Sequence, residues 1–164
     1  ASACLPTVFQ TVEIDGEAYW DGGYSGNPAL FPLYEPDLPD DILVVSINPM
    51  RSDDIPDSPL EIQNLINEIS FNAGLLGELR AINFVRRLIA EGRMEAGKMK
   101  AVNVHMISDD RLMNDLSADS KQSPTPLLLG RLKEAGRNAA DRFLKDGGSK
   151  IGLDASVDLK GLLG

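Results

Sequence analysis

The chain is predicted to be an α/β protein, in which strands and helices alternate along the sequence. Two short segments, 41–47 and 101–107, have the continuous apolar character of strands buried in a parallel sheet. Between and after these segments, apolar residues recur at the three- and four-residue spacing of helices. A chain of 164 residues is long enough for one compact core, so we expect a single domain over 1–164.

The first element is a predicted β-hairpin. Asp15-Gly16 separates strands over 11–14 and 17–20. Asp-Gly is favoured in two-residue turns because both central positions need a positive φ. The second strand delivers Asp21 at its end, and four prolines over 27–40 then predict an irregular loop.

Helix signals follow each of the two apolar strands. Ser58-Pro59 predicts a helix start, and Gly92 a stop. Asn72-Ala73-Gly74 predicts an interruption, which would divide this region into two helices. Asp109 is a predicted N-cap for a short helix that ends at Leu116.

The C-terminal part of the chain is predicted to hold one long helix and a tail. The helix contains an apolar stripe and ends at Gly147-Gly148. Residues 147–164 are small and weakly patterned. The stripe consists of Leu128, Leu132, Ala135, Ala139 and Phe143.

Charge and composition exclude several classes of protein. The net charge of −9 argues against a nucleic-acid partner, since phosphate backbones would repel the chain. It also argues against broad attraction to anionic membranes, although a local basic patch stays compatible with binding there. Cys4 is the only cysteine, so neither an internal disulfide nor a thiolate zinc site is available. No apolar run approaches the ~20 residues that span a bilayer. We expect a cytoplasmic protein, for which a peripheral position at membranes stays open.

The sequence gives little support for a catalytic site built on histidine or for a metal site. The near misses to a G-x-S-x-G elbow place Ser25 and Ser149 in turns. His105 is the only histidine, and a structural role is favoured over that of a catalytic base. The acidic cluster of Asp53, Asp54 and Asp57 lacks the spacing of a calcium loop. No metal and no cofactor are expected.

One motif stands out against this background. Asp21-Gly22-Gly23 follows the hairpin directly and leads into a polar turn closed by Asn27-Pro28. With the preceding 1–6 segment and the hairpin, it resembles the C-terminal half of bacterial patatin-like phospholipases. The segments 104–107 and 136–140, together with Ser120-Lys121, are similar to one branch of that family.

The resemblance implies a fold and a chemistry. It implies the C-terminal half of a three-layer α/β/α fold, here with a hairpin, two further strands and three to four helices. In the family a Ser-Asp dyad hydrolyses lipid acyl esters, and Asp21 matches its aspartate. Gly22, Gly23 and Asn27 match the supporting motif, whereas the serine and the oxyanion loop precede this region. Trp20 and Tyr24 are expected to shield the carboxylate.

The resemblance further implies that the chain is a truncated or processed piece, inactive without its N-terminal half. Its expected partners are that half and an acyl lipid or phospholipid substrate. A cut sheet edge also favours a homo-oligomer. Two alternatives stay open: a non-catalytic interaction module on the same scaffold, and an esterase that pairs Ser25 or Ser149 with His105.

Overall fold

The computed structural model describes residues 1–6, 9–50, 55–95, 97–116 and 125–164. Within these residues the mixture of strands and helices confirms the α/β class. No helix there has both the length and the apolar character to cross a membrane. The elements are β1 (Val12–Ile14), β2 (Glu17–Tyr19), β3 (Asp41–Val45), α1 (Pro59–Ala90), β4 (Asn103–Ile107), α2 (Asp110–Asp115), α3 (Pro126–Asp146) and α4 (Leu159–Leu163).

The hairpin is confirmed. β1 and β2 pair antiparallel, with Val12 opposite Tyr19. Asp15 and Gly16 have φ values of 53° and 82°, as the predicted two-residue turn requires. The N-terminal segment is held against the hairpin, because the Trp20 Nε1–H donates to the carbonyl of Phe9 at 3.1 Å.

A parallel pair of strands forms the centre of the fold. β3 and β4 run in register from the pair Asp41–Asn103 to the pair Val45–Ile107, as their apolar sequences predicted. Parallel neighbours need a long crossover connection, which α1 provides. One face of the pair buries its side chains against α1. The buried residues at this contact are Ile42, Val44 and Val104 from the sheet and Leu75, Leu79 and Ile82 from α1.

The predicted interruption at 72–74 is wrong, because α1 runs unbroken for 32 residues. Its start is as predicted: Ser58 and Glu61 form a capping box. Gly74 serves packing and does not end a helix. A Cβ at this position would stand 3.3 Å from the Cα of Gly26, so the glycine allows the 21–28 loop to lie against α1.

The tail over 147–164 is more ordered than its sequence indicates. Gly147 caps α3, as predicted. The backbone N–H groups of Ser156 and Val157 both donate to the carbonyl of Val104, at 3.2 and 3.3 Å. Leu159 then enters the core with 5% of its surface exposed. The short α4 carries too few residues to show a helical period, so only tertiary contacts reveal it.

The outer edge of β3 is open. No backbone hydrogen bond joins this edge to any other residue that the structure describes. On the face of the sheet away from α1, Leu43 and Val45 are 46% and 63% exposed. Ile47, just beyond β3, is 71% exposed. The β3 edge and the exposed β3 side chains beside it form an apolar surface that no other described residue covers.

Two glycines of α1 provide a matched test of the docked loop. At Gly77, an added Cβ would meet nothing within 4 Å, so Gly77→Ala should raise the free energy of unfolding by about 1 kcal/mol through helix propensity. Gly74→Ala should raise the free energy of unfolding clearly less. Its Cβ would stand only 3.3 Å from the Gly26 Cα and 3.5 Å from the carbonyl oxygen of Ser25. Urea denaturation measures both, and equal gains would show that the loop does not pack there.

Candidate active site

Asp21 lies two residues beyond β2 and is half-buried. Its Oδ1 accepts a hydrogen bond from the backbone N–H of Gly23 at 2.8 Å, and so caps the 3₁₀ turn over 22–24. Its Oδ2 has no hydrogen-bond partner among the described residues. One oxygen therefore fixes the carboxylate and the other is available to an incoming hydroxyl group.

The two glycines that follow Asp21 have different surroundings. A Cβ at Gly23 would stand 2.7 Å from the Phe71 ring and 3.1 Å from Asp21 Oδ1, so this position has no room for a side chain. A Cβ at Gly22 would meet nothing within 4 Å. Of the two positions, only Gly23 therefore needs glycine for steric reasons, since Gly22 faces open space.

Helix α1 holds the Asp21 loop in place. The Tyr24 and Phe71 rings are 4.9 Å apart between centroids and tilted by 53°. Three residues further along α1, Gly74 lies against the backbone of Gly26 and Asn27. Sequence reasoning missed Phe71 and Gly74, since their relation to Asp21 depends on how α1 packs.

The predicted aromatic shielding of Asp21 is weak. Trp20 is 49% exposed, and its ring is held by the carbonyl of Phe9. Tyr24 is 38% exposed and packs on Phe71. Neither ring encloses the carboxylate within the described chain.

The serine and histidine pairings of the esterase alternative do not form. The Ser25 hydroxyl donates to the carbonyl of Gly22 at 2.9 Å. Ser149 is exposed in the 3₁₀ turn after α3. Both nitrogens of His105 are already occupied: Nδ1 lies 3.0 Å from Ser156 Oγ and Nε2 lies 2.8 Å from Asp41 Oδ1.

The Asp41–His105–Ser156 chain has the connectivity of a catalytic triad but lacks other features of one. The imidazole is only 1% exposed, and its ring packs edge-on against Phe143. The backbone N–H groups of Ser156 and Val157 donate to the Val104 carbonyl, so neither is free to bind an oxyanion. The predicted structural role of His105 is therefore the one that the geometry supports.

This hydrogen-bonded chain fastens the tail to the sheet. The Asp41 carboxylate accepts from His105 and from the backbone N–H of Gly152, at 2.9 Å. These hydrogen bonds, that of His105 first, lower the pKa of Asp41 because they stabilise its charged form.

No arrangement for a metal is present in the part of the chain that the structure describes: it holds no group of three or more histidine, cysteine or carboxylate side chains placed around one point. Asp53 and Asp54 lie outside the described residues. Asp57, the third member of the acidic cluster, donates its backbone N–H to Glu61 in front of α1. Asp109 caps α2, as predicted.

Two open grooves on the described part of the surface lie away from Asp21. A groove of about 380 Å³ runs between α2 and α3, lined by Arg131 and Arg142 among others. A second groove of about 320 Å³ passes Phe143 and Ser156. Neither includes a residue of the 21–28 loop.

Comparisons with known proteins identify no relative of this chain. No family model, no curated protein and no solved structure matches the chain. The assignment of Asp21 consequently depends on the motif and on the geometry around it.

The Asp41 carboxylate predicts a pH dependence of stability. Because its pKa is lowered on folding, its contribution is complete above the unfolded value of about 3.9 and disappears as the pH falls through the folded value. At neutral pH, Asp41→Asn should be less stable by about 2 kcal/mol, and this difference should shrink below about pH 4. Urea melts across pH measure it; a difference that does not change with pH would contradict the assignment.

Proposed function

We propose that this chain carries the acid residue of a patatin-like lipid acyl hydrolase, with Asp21 as the proton acceptor of a Ser-Asp dyad. The observation that carries the proposal is the carboxylate of Asp21 at the end of the hairpin. It is fixed through Oδ1 and flanked by glycine, and its Oδ2 accepts no hydrogen bond from the residues that the structure describes. The resemblance of this motif and its surroundings to the family gives the reaction class.

The chemistry requires a hydroxyl within hydrogen-bond reach of Oδ2, about 2.6–3.2 Å. As the serine oxygen attacks the ester carbonyl, its proton passes to Asp21, and the tetrahedral oxyanion is held by backbone donors. The proton then goes to the leaving alcohol. In the second half of the reaction Asp21 takes a proton from the water that attacks the acyl-enzyme, and returns it to the serine oxygen as the fatty acid leaves. The fixed Oδ1 keeps the carboxylate from rotating away during these steps.

The nucleophile in this proposal comes from another segment of polypeptide. Ser25 and Ser156 are bonded within their own surroundings, and His105 is occupied. The open edge of β3, with exposed Leu43 and Val45, suits the addition of a further strand from an N-terminal half. The chain alone would then have no hydrolase activity.

A second candidate is a non-catalytic interaction module. The observation that favours it is the cap that Asp21 provides for the 3₁₀ turn, since this structural role is enough to explain an aspartate there. The reading frame ahead of residue 1 discriminates between the two. A glycine-rich loop followed by G-x-S-x-G supports the hydrolase, and its absence supports the module.

In the enzyme with its N-terminal half, Asp21→Asn should lower ester hydrolysis by about 10²–10⁴-fold or more, because the amide cannot accept the serine proton. The Asn side chain can still accept from Gly23, so the fold should survive. Asp15→Asn is the matched control: it lies in the same hairpin at φ 53°, a conformation that asparagine tolerates. Hydrolysis of a short-chain ester that persists in Asp21→Asn would refute the dyad.

The isolated chain should associate through the open β3 edge. We expect its sedimentation coefficient to rise with protein concentration, since exposed edges and apolar faces favour pairing. Val45→Lys should reduce this association by placing a charge on the exposed face of β3. A concentration-independent monomer would show that the edge attracts no partner.

A further inference from the structure

Helix α1 has an apolar line on the side that faces away from the core. Ile62, Ile66 and Ile69 follow one another at four and three residues, so they share one face of the helix. They are 45%, 50% and 60% exposed. A surface helix normally places polar residues on this side, because its apolar stripe faces the core. The exposed isoleucines therefore indicate that this side of α1 contacts another molecule.

The same line becomes cationic towards the end of α1. It continues through Ala73 to Arg80, Phe84 and Arg87, each three, four or seven residues from the previous one. The Arg87 guanidinium lies 5.5 Å from the centroid of the Phe84 ring, which is itself 52% exposed. From Ile62 to Arg87 the line therefore combines apolar side chains with positive charge.

The three acidic residues within α1, Glu61, Glu68 and Glu78, lie off this line; Glu68 comes seven residues before the buried Leu75 and so lies towards the core. Glu61 is engaged in the capping box at the start of the helix. Glu78 accepts hydrogen bonds from the Leu30 N–H and from the Tyr34 hydroxyl, towards the interior. Glu91 comes four residues after Arg87, just past the end of the helix, so it continues the line, and its carboxylate lies 3.9 Å from the Arg87 Nε. A chain of net charge −9 thus keeps one helix face free of acidic side chains between residues 62 and 87.

We propose that this outer face of α1, named here the α1 line, binds the surface of a membrane that contains anionic phospholipids. The three isoleucines and Phe84 enter the boundary of the acyl chains, as in interfacial helices. Arg80 and Arg87 lie at the phosphates, where their long side chains can reach the headgroups. This inference stands on α1 alone and does not depend on the chemistry of Asp21.

A second copy of the chain fits the α1 line less well. In an antiparallel pair in which the two lines overlap fully, Arg80 and Arg87 would face the partner's isoleucines and lose water. Arg87 would keep only its pair with Glu91, and Arg80 would gain no counter-charge. In a parallel pair they would face the same arginines. Phosphate groups supply the missing negative charge, and this complementarity favours the lipid surface.

Vesicle co-sedimentation tests the α1 line. The wild-type chain should bind vesicles of phosphatidylcholine and phosphatidylglycerol, and bind pure phosphatidylcholine more weakly. Ile66→Glu should weaken binding about tenfold or more, because it removes one buried apolar side chain and adds a repelled charge. Arg80→Gln with Arg87→Gln should remove the preference for phosphatidylglycerol. Leu144→Glu, at a 65% exposed position of α3, is the matched control and should bind as wild type.

Circular dichroism of each variant checks that the fold is kept. Equal binding by Ile66→Glu and wild type, or equal binding to the two kinds of vesicle, would overturn the proposal. So would a wild-type dimer that Ile66→Glu dissociates without any vesicle binding, since a second copy would then cover the α1 line. Asp21→Asn should bind vesicles normally, so failure of the dyad and failure of the α1 line give different results.

Discussion

The packing of α1 on the β3–β4 pair is the contact on which the other parts of the structure depend. Leu79 at its centre has no exposed surface, and Val104 opposite is equally buried. Parallel strands have no short connection, so the helix that crosses between them must also cover one face of the sheet. The Asp21 loop then rests on α1 at Gly74, and Leu159 of the tail enters the same core.

A second constraint acts on the opposite face of the sheet. A buried imidazole needs a partner for each nitrogen, and His105 finds one in Asp41 and one in Ser156. These bonds join β3 and β4 to the tail just ahead of Leu159, which then enters the core. The same three residue types form hydrolase triads, but here the imidazole is enclosed. A chain of hydrogen bonds therefore indicates catalysis only where substrate can reach the hydroxyl and oxyanion donors are free.

The candidate acid and the α1 line lie on different sides of α1. Phe71 and Gly74 hold the Asp21 loop, whereas Ile66 is exposed on the side away from the core.

Local sequence determined the elements whose signals are local: the Asp15-Gly16 turn, the strand runs, the Ser58 and Asp109 caps and the order of the α/β units. Tertiary structure decided what depends on distant partners. Gly74 indicates a helix break from its sequence alone, yet it lies inside α1 because a loop some fifty residues earlier packs against it. The sequence likewise marks Asp21 as a candidate, but only the packed loop shows which oxygen is held and which is free. The sequence determines which chemical groups the chain carries. Folding determines which of these groups are free to react, because it decides which neighbours surround them.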